Sequence, residues 1–467
     1  MIFHSLDFIL FLPAVLAIYW AISHKAQQFF LLAASYFFYG YIHPWFLYLI
    51  LSSTLVDFAS SLAIVKAGQR EKKLYLFLSL LVNLGLLAVF KYFGFFVSNV
   101  NMILGFANLP HLALGIQILL PVGISFYTFQ SMSYTIDVYR GEVKPCRNII
   151  DFAIYVGFFP QLVAGPIERA GRLLPQIQNP RTFNLAQFQD GIFLLVWGFF
   201  KKLVVADNVA PMVDNIFNLE NPPFAVLWVG VFAFSIQILA DFSAYTDIAR
   251  GSAKMLGINL SHNFNHPYIA RSPSDFWRRW HISLSNWIRD YVYIPLGGSR
   301  VTKGRYIFNV LLTFFLCGLW HGASWNFALW GVYHGVLIIC FRLLENLRSG
   351  LSWVPRFVQI SFMFVLTNIG WLIFRESDLT YLIKYMSLSP FADSMDEIRM
   401  AIFMFSKTFV YSIPIWLHVV FDMYLRPFLQ KHPTTRLSFH TASALILFVA
   451  ILTMRSDILV DFIYFQF

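Results

Sequence analysis

The stretch YIFNVLLTFFLCGLWHGASWNFALWGVYHGVLIICF, residues 306–341, decides the fold class. Two apolar runs, at about 305–320 and 323–343, meet there around His321. Each approaches the ~20 residues that a bilayer core demands of a helix. Neither alternates apolar and polar residues as the strand of a membrane barrel does. Further apolar blocks lie at about 6–22, 28–40, 44–64, 73–95, 112–137, 150–165, 190–206 and 224–240, and then at 356–374, 399–420 and 440–463. The chain therefore reads as an all-α polytopic membrane protein with roughly eleven to thirteen membrane helices. The block at 28–40 is short, and Pro121 and Gly123 interrupt 112–137, so some segments are expected to be broken or re-entrant.

Composition agrees with that reading. The 467 residues are 58% hydrophobic and only 12% charged, with a mean hydropathy of +0.63. A soluble domain carries about 25% charge, so an ordinary soluble enzyme and a disordered chain are both excluded. The net charge of +10 fits basic cytoplasmic loops better than nucleic-acid binding, because no RNA- or DNA-binding module is visible. Cys146, Cys317 and Cys340 form neither a C-x-x-C pair nor a metal spacing, so no metal is expected. The opening MIFHSLDFILFLPAVLAIYW lacks the basic start and small-residue cleavage site of a signal peptide, and reads as a first membrane helix. Without a repeat or a low-complexity segment, residues 1–467 read as one membrane domain.

The charge is unevenly spread. Residues 271–305 hold seven basic residues against Asp275 and Asp290, which is half of the net charge. Six aromatic residues fall in the same stretch, among them Trp277, Trp280 and Trp287. Positions 276, 277, 280, 284, 287, 288 and 291 recur at helical spacing, predicting one amphipathic helix over 274–294 capped by Ser274 or Asp275. An interfacial helix with snorkelling arginines accounts for most of this pattern, but not for His281.

Ionisable groups inside apolar blocks are the informative ones, because burial there is costly. They are Asp241, Tyr245 and Asp247 in DFSAYTDIARG, together with His281, His321 and His334. A neutral buried imidazole at His321 could take a proton from an alcohol. Residue by residue, however, a membrane histidine is more often a packing or hydrogen-bonding group. Gly318 and Gly322 would let a backbone or a substrate approach His321 closely. His334 reads as structural, and Cys317 as a small packing residue rather than a nucleophile. No G-x-S-x-G elbow, P-loop or dinucleotide fingerprint is present, so direct transfer assisted by a base is simpler than a covalent serine route.

DFWRRWHISLSNWIRDYVYIPLGGSR (275–300) and LWHGASWNFALWGVYHG (319–335) resemble the membrane-bound O-acyltransferases, in their bacterial alginate O-acetylase-like branch. ISFYTFQSMSYTIDVYRGEV (124–143), FFPQLVAGPIERA (158–170), DFSAYTDIARGSAKMLGINLSHNFNHPYI (241–269) and NIGWLIFRESDL (368–379) extend the likeness to about residue 380. The resemblance implies a helical bundle around a central tunnel, with its core at roughly 110–380. It places the family's two histidines on His281 and His321, forty positions apart. His321 would be the base or transition-state stabiliser, and His281 would serve the tunnel or the acceptor path. Some eukaryotic members carry Asn or Asp at the place of His281.

By the same resemblance, a cytoplasmic thioester, acetyl-CoA or an acyl carrier, would donate an acyl group across the bacterial inner membrane. The acceptor would be an exopolysaccharide such as alginate. Arg278, Arg279 and Arg289 could meet the donor's phosphates, although contact with lipid headgroups explains each equally well. A periplasmic transferase of the SGNH type, or other polymer-modification subunits, would be partners. D-alanyl transfer towards teichoic acid and peptidoglycan O-acetylation are the neighbouring alternatives. A transporter or scaffold that makes no bonds is the rival from another class.

Overall fold

The computed structural model describes residues 1–112, 118–344, 354–458 and 460–465. Residues 113–117 of the block at 112–137, and residue 459 of the block at 440–463, lie outside the described residues. The described residues are helical or irregular, with no strand among them. Seven of their helices are long and apolar enough to cross a membrane, and two shorter apolar ones span Leu6–Ala21 and Ile149–Leu162. Leu445, Ile446 and Val449 are more than half exposed on their helix. In water that surface would be a large liability; in lipid it is the expected outside of the protein.

The chain forms two compact units: Met1–Ile192 with Ala249–Ser261, and Phe193–Ile248 with His262–Phe467. The first unit begins with α1 (Leu6–Ala21) and α2 (His24–Gly40), held together by the ring cluster of Phe3, Phe8 and Phe38. In α3 (Phe46–Lys66) the fully buried Asp57 accepts hydrogen bonds from Ser79 at 2.5 Å and Asn83 at 2.9 Å, both on α4 (Gln69–Leu87). A third comes from Ser131 on α5 (Ile124–Arg140). A carboxylate buried this fully needs such a set of donors, and the set ties three helices together. Gly123, at φ +77°, starts α5; a Cβ there would strike the carbonyl of Leu162. That accounts for the interruption expected in the block at 112–137. Past α6 (Ile149–Gly157), buried Glu168 accepts from the hydroxyl of Ser261 at 2.5 Å and from its backbone amide.

The second unit takes the first part of α7 (Phe224–Met255), most of whose apolar length is covered by protein. The helix expected over 274–294 is instead broken. Ser272, not Ser274 or Asp275, caps α8 (Pro273–Trp277), and α9 (Ile282–Ile288) follows only after a turn at His281. His281 has φ +40°, which ends any continuous helix. The turn is fixed by backbone bonds that a sequence pattern does not show: Asn265 N–H to Arg279 O, and Ile282 N–H to Asn263 O, both 2.9 Å.

A tight pair follows, α10 (Lys303–His321) and α11 (Trp325–Leu343). Gly318 and Gly331 let their backbones touch: a Cβ on either would collide with a carbonyl of the other helix, Phe327 or Phe314 respectively. The remaining long helices are α12 (Arg356–Arg375), α13 (Met395–Val420) and α14 (Pro433–Met454). The apolar block at 440–463 was expected to be one membrane helix; α14 stops at Met454, and residues 460–465 are an irregular strap ending in a short 3-10 turn.

Candidate active site

His321 is the last residue of α10, and extended Gly322 ends the helix there. A Cβ on Gly322 would collide with the Phe327 ring, so the sharp exit depends on glycine. His281 sits at the α8–α9 turn. The two imidazoles, forty residues apart in sequence, lie with ring centroids 6.4 Å apart. Both are almost wholly buried, at 0% exposure for His281 and 2% for His321. Trp320 lies 5.5 Å from the His281 ring, and Trp330 and Phe374 lie 4.9 and 5.5 Å from that of His321. His281 is outside the seven long apolar helices. Burial pushes its imidazole down to about 3, so it is neutral at physiological pH. A close pair of buried histidines in an aromatic cage can hold and move a proton in a medium that strengthens every polar contact.

His334 is not part of this pair. It packs against Phe276, Trp277 and Trp330 at 5.8, 5.2 and 4.9 Å between centroids. Cys317 is buried one turn before His321.

Asp241 and Asp247, singled out as costly membrane charges, are both paired. Lys202 bridges Asp207 at 2.8 Å and Asp241 at 3.1 Å, and Lys201 meets Asp247 and Ser243 at 2.7 Å each. These lysines were not among the sequence candidates. Their presence inside the apolar block at 190–206 was the available signal, since a membrane lysine needs a carboxylate partner. Tyr464 was also missed. Its hydroxyl lies 3.1 Å from Nδ1 of His321.

The three arginine candidates line the broken helix. Arg279 is held by Asp275 at 2.9 Å and Arg289 by Asp290 at 2.8 Å, while exposed Arg278 donates from Nε to the Ser274 carbonyl at 3.1 Å. Burial, the largest single influence, would raise Asp275, but the hydrogen bonds from Arg279 and the Arg271 amide, together with the charges of Arg279 and Arg278, outweigh it and hold the carboxyl below its usual range. Arg278 and Arg289 are open to solvent. Elsewhere, His266, His418 and Asp422 bring three potential metal-ligating atoms within 4.8 Å of one another. That carboxylate also has His266 Nε2 at 2.9 Å and the Arg426 guanidinium at 3.3 Å.

Comparison with known proteins places this geometry in context. Residues 31–384 match the model of the membrane-bound O-acyltransferase family. The chain is 41% identical over 404 residues to the probable alginate O-acetylase of Azotobacter vinelandii, covering 84% of this chain and 79% of that protein. It is 34% identical over 385 residues to the peptidoglycan O-acetyltransferase of Helicobacter pylori, covering 76% and 72%. The teichoic acid D-alanyltransferase of Bacillus subtilis is 29% identical over 247 residues, covering 50% and 62%.

Proposed function

The chain belongs to the membrane-bound O-acyltransferase family, and on that premise we propose that it is an O-acetyltransferase. It passes an acetyl group from a cytoplasmic thioester, acetyl-CoA or an acyl carrier, across the bacterial inner membrane towards an exopolysaccharide of the alginate type. The observation that carries this reading is the convergence of the two motif histidines, His281 and His321, in one buried aromatic cage. The single membrane domain has its core at roughly 110–380. Roughly eleven to thirteen membrane helices, some short or re-entrant, surround a tunnel that leads to the pair. Seven long apolar helices and two shorter ones among the described residues support a multi-pass helical bundle.

His321 acts as the base. It takes the proton of the acceptor hydroxyl as that oxygen attacks the thioester carbonyl. The tetrahedral intermediate then collapses: the new C–O bond stays, the C–S bond breaks, and the proton passes from His321 to the leaving sulfur. His281, neutral beside it, lines the acceptor path and offers a hydrogen bond to the developing oxyanion. Arg278 and Arg289, both exposed, are the arginines best placed to meet the donor's phosphates. An SGNH-type periplasmic transferase completes the modification of the polymer.

The test is transfer of labelled acetyl from acetyl-CoA by the purified protein in lipid discs. His321→Ala is expected to lower the rate roughly 100-fold or more, with thermal stability retained. Full activity in that variant overturns the mechanism.

A further inference from the structure

Among the described residues, one trio of side chains brings metal-ligating atoms together: His266, His418 and Asp422, all within the second unit. Two elements supply it. His418 lies in the last turn of α13, and Asp422 follows four residues on, in the π-helical turn Phe421–Leu425. That spacing puts the imidazole and the carboxyl on one face, with Nε2 3.8 Å from Oδ1. His266 precedes the 3-10 turn Pro267–Ile269, and its backbone is left-handed, at φ +48°. It sets Nε2 2.9 Å from Oδ2 of Asp422. His266 and Asp422 stand 156 positions apart, so no local spacing announces the trio. The expectation of no metal rested on the cysteines, and this set contains none.

A second observation points to an ion rather than to a plain hydrogen-bonded cluster. Oδ1 of Asp422 is closed off from solvent, yet it accepts no hydrogen bond. Its neighbours are His418 Nε2 at 3.8 Å and Nη1 of Arg426 at 3.3 Å. A buried carboxylate oxygen in that state calls for a further partner. The spacing suits a metal. Zinc sits about 2.0–2.2 Å from nitrogen and oxygen donors, which sets tetrahedral donors about 3.3 Å apart. The separations of 2.9 and 3.8 Å straddle that value, and the three ligating atoms all lie within 4.8 Å of one another. Two imidazoles and one carboxylate are the donor set of an open zinc site, with solvent in the fourth position. Calcium and magnesium prefer oxygen ligands throughout.

We propose that His266, His418 and Asp422 form a binding site for a divalent transition-metal ion of the zinc type. Its role is that of a clamp. Asn265, next to His266, donates its N–H to the Arg279 carbonyl, and Asn263 accepts from the N–H groups of Ile282 and Ser283. Those bonds hold the turn that carries His281. The ion fastens the loop that makes them to the end of α13. Arg426 opposes it: the guanidinium competes for Oδ1 of Asp422, and it is exposed enough to swing away when the ion enters. The site stands independently of the acyl-transfer reading.

The experiment is a zinc titration of the full chain in lipid discs, purified on a histidine-free tag and stripped with a chelator. The wild type is expected to retain zinc after desalting. Zinc at 100 times its dissociation constant should raise the thermal midpoint by about 2 °C or more. His266→Asn, which keeps a residue tolerant of the left-handed backbone, and His418→Gln each remove a ligand. Each should weaken zinc binding by more than the roughly 10- to 100-fold that losing an outer-shell partner costs. Arg426→Gln should tighten it by up to about 5-fold, a gain that misfolding cannot produce. Amide hydrogen exchange across 263–283 should slow on adding zinc to the wild type and stay unchanged in His266→Asn. A site built for iron or manganese would also take zinc, which binds nitrogen and oxygen donors at least as tightly. A wild type that retains no zinc therefore overturns the proposal for the whole class. Zinc binding that is the same in the wild type, His266→Asn and His418→Gln overturns it as well. Exchange across 263–283 that ignores bound zinc overturns the clamp.

Discussion

At the scale of single residues, His281 combines two unusual states. Its backbone is left-handed, at φ +40°, and its imidazole is held neutral by burial, with a folded-state pKa of about 3. An unfolded histidine titrates near 6.5. Above that pH both states are neutral and the residue adds no pH dependence. As pH falls from about 6.5 to about 3, only the unfolded chain takes up the proton, so stability is lost over that window with a slope approaching one proton. His281→Asn removes the titration, and asparagine tolerates a left-handed backbone. Thermal unfolding between pH 7 and 4.5 should therefore fall less steeply in the variant than in the wild type; parallel curves would mean that His281 is protonated in the folded protein. Both histidines were legible because each sits in a long motif with costly polar placement. Tyr464 was not, because one tyrosine in an apolar tail resembles any other until the strap brings it to His321. Lys202 could have been read from the expense of its position.

At the scale of elements, the close pairing of α10 and α11 decides where His321 lies. The apolar runs, and the glycines around the histidine, were readable as helices that approach closely. The partner of Gly318 was not, since contact with Gly331 depends on the crossing of the two helices. A Cβ on Gly318 would meet the Phe327 carbonyl and come within 3.2 Å of Gly331 N, and backbone cannot step aside as a side chain can. Gly318→Ala should cost about 1–3 kcal/mol by overpacking. It should also lower the acetyl-transfer rate, because His321 lies three residues on. Gly85→Ala, where nothing lies within 4 Å of the added carbon, is the control and should be neutral or stabilising by up to about 1 kcal/mol. Equal thermal midpoints for the two variants would remove the packing explanation. The broken helix at 274–294 teaches the complementary lesson. Its apolar spacing is helical on both sides of His281, and only the backbone pairing with residues 263–265 shows that the chain turns there.

For the whole molecule, the informative quantity is where the sparse charge sits. Only 12% of residues are charged, yet half of the net +10 falls within 271–305. That stretch holds His281 at its turn and runs directly into α10, which ends on His321. Basic loops remain on the cytoplasmic side, because moving them across the membrane is disfavoured. Under the proposed function, a thioester donor made in the cytoplasm would then meet the exposed Arg278 and Arg289 on its own side of the membrane. Gly304 offers a clean probe of this orientation. It lies between Lys303 and Arg305 near the start of α10, is exposed, and has open space where a side chain would go. Of the native cysteines, Cys146 and Cys317 are buried and Cys340 is exposed, so Cys340→Ser supplies the quiet background. In that background, Gly304→Cys should react with a membrane-impermeant maleimide in inside-out vesicles and resist it in intact cells. Labelling in intact cells would put the basic stretch on the outer face. The donor would then have to enter from the opposite end, and the arginines of 271–305 would lose their role in meeting it.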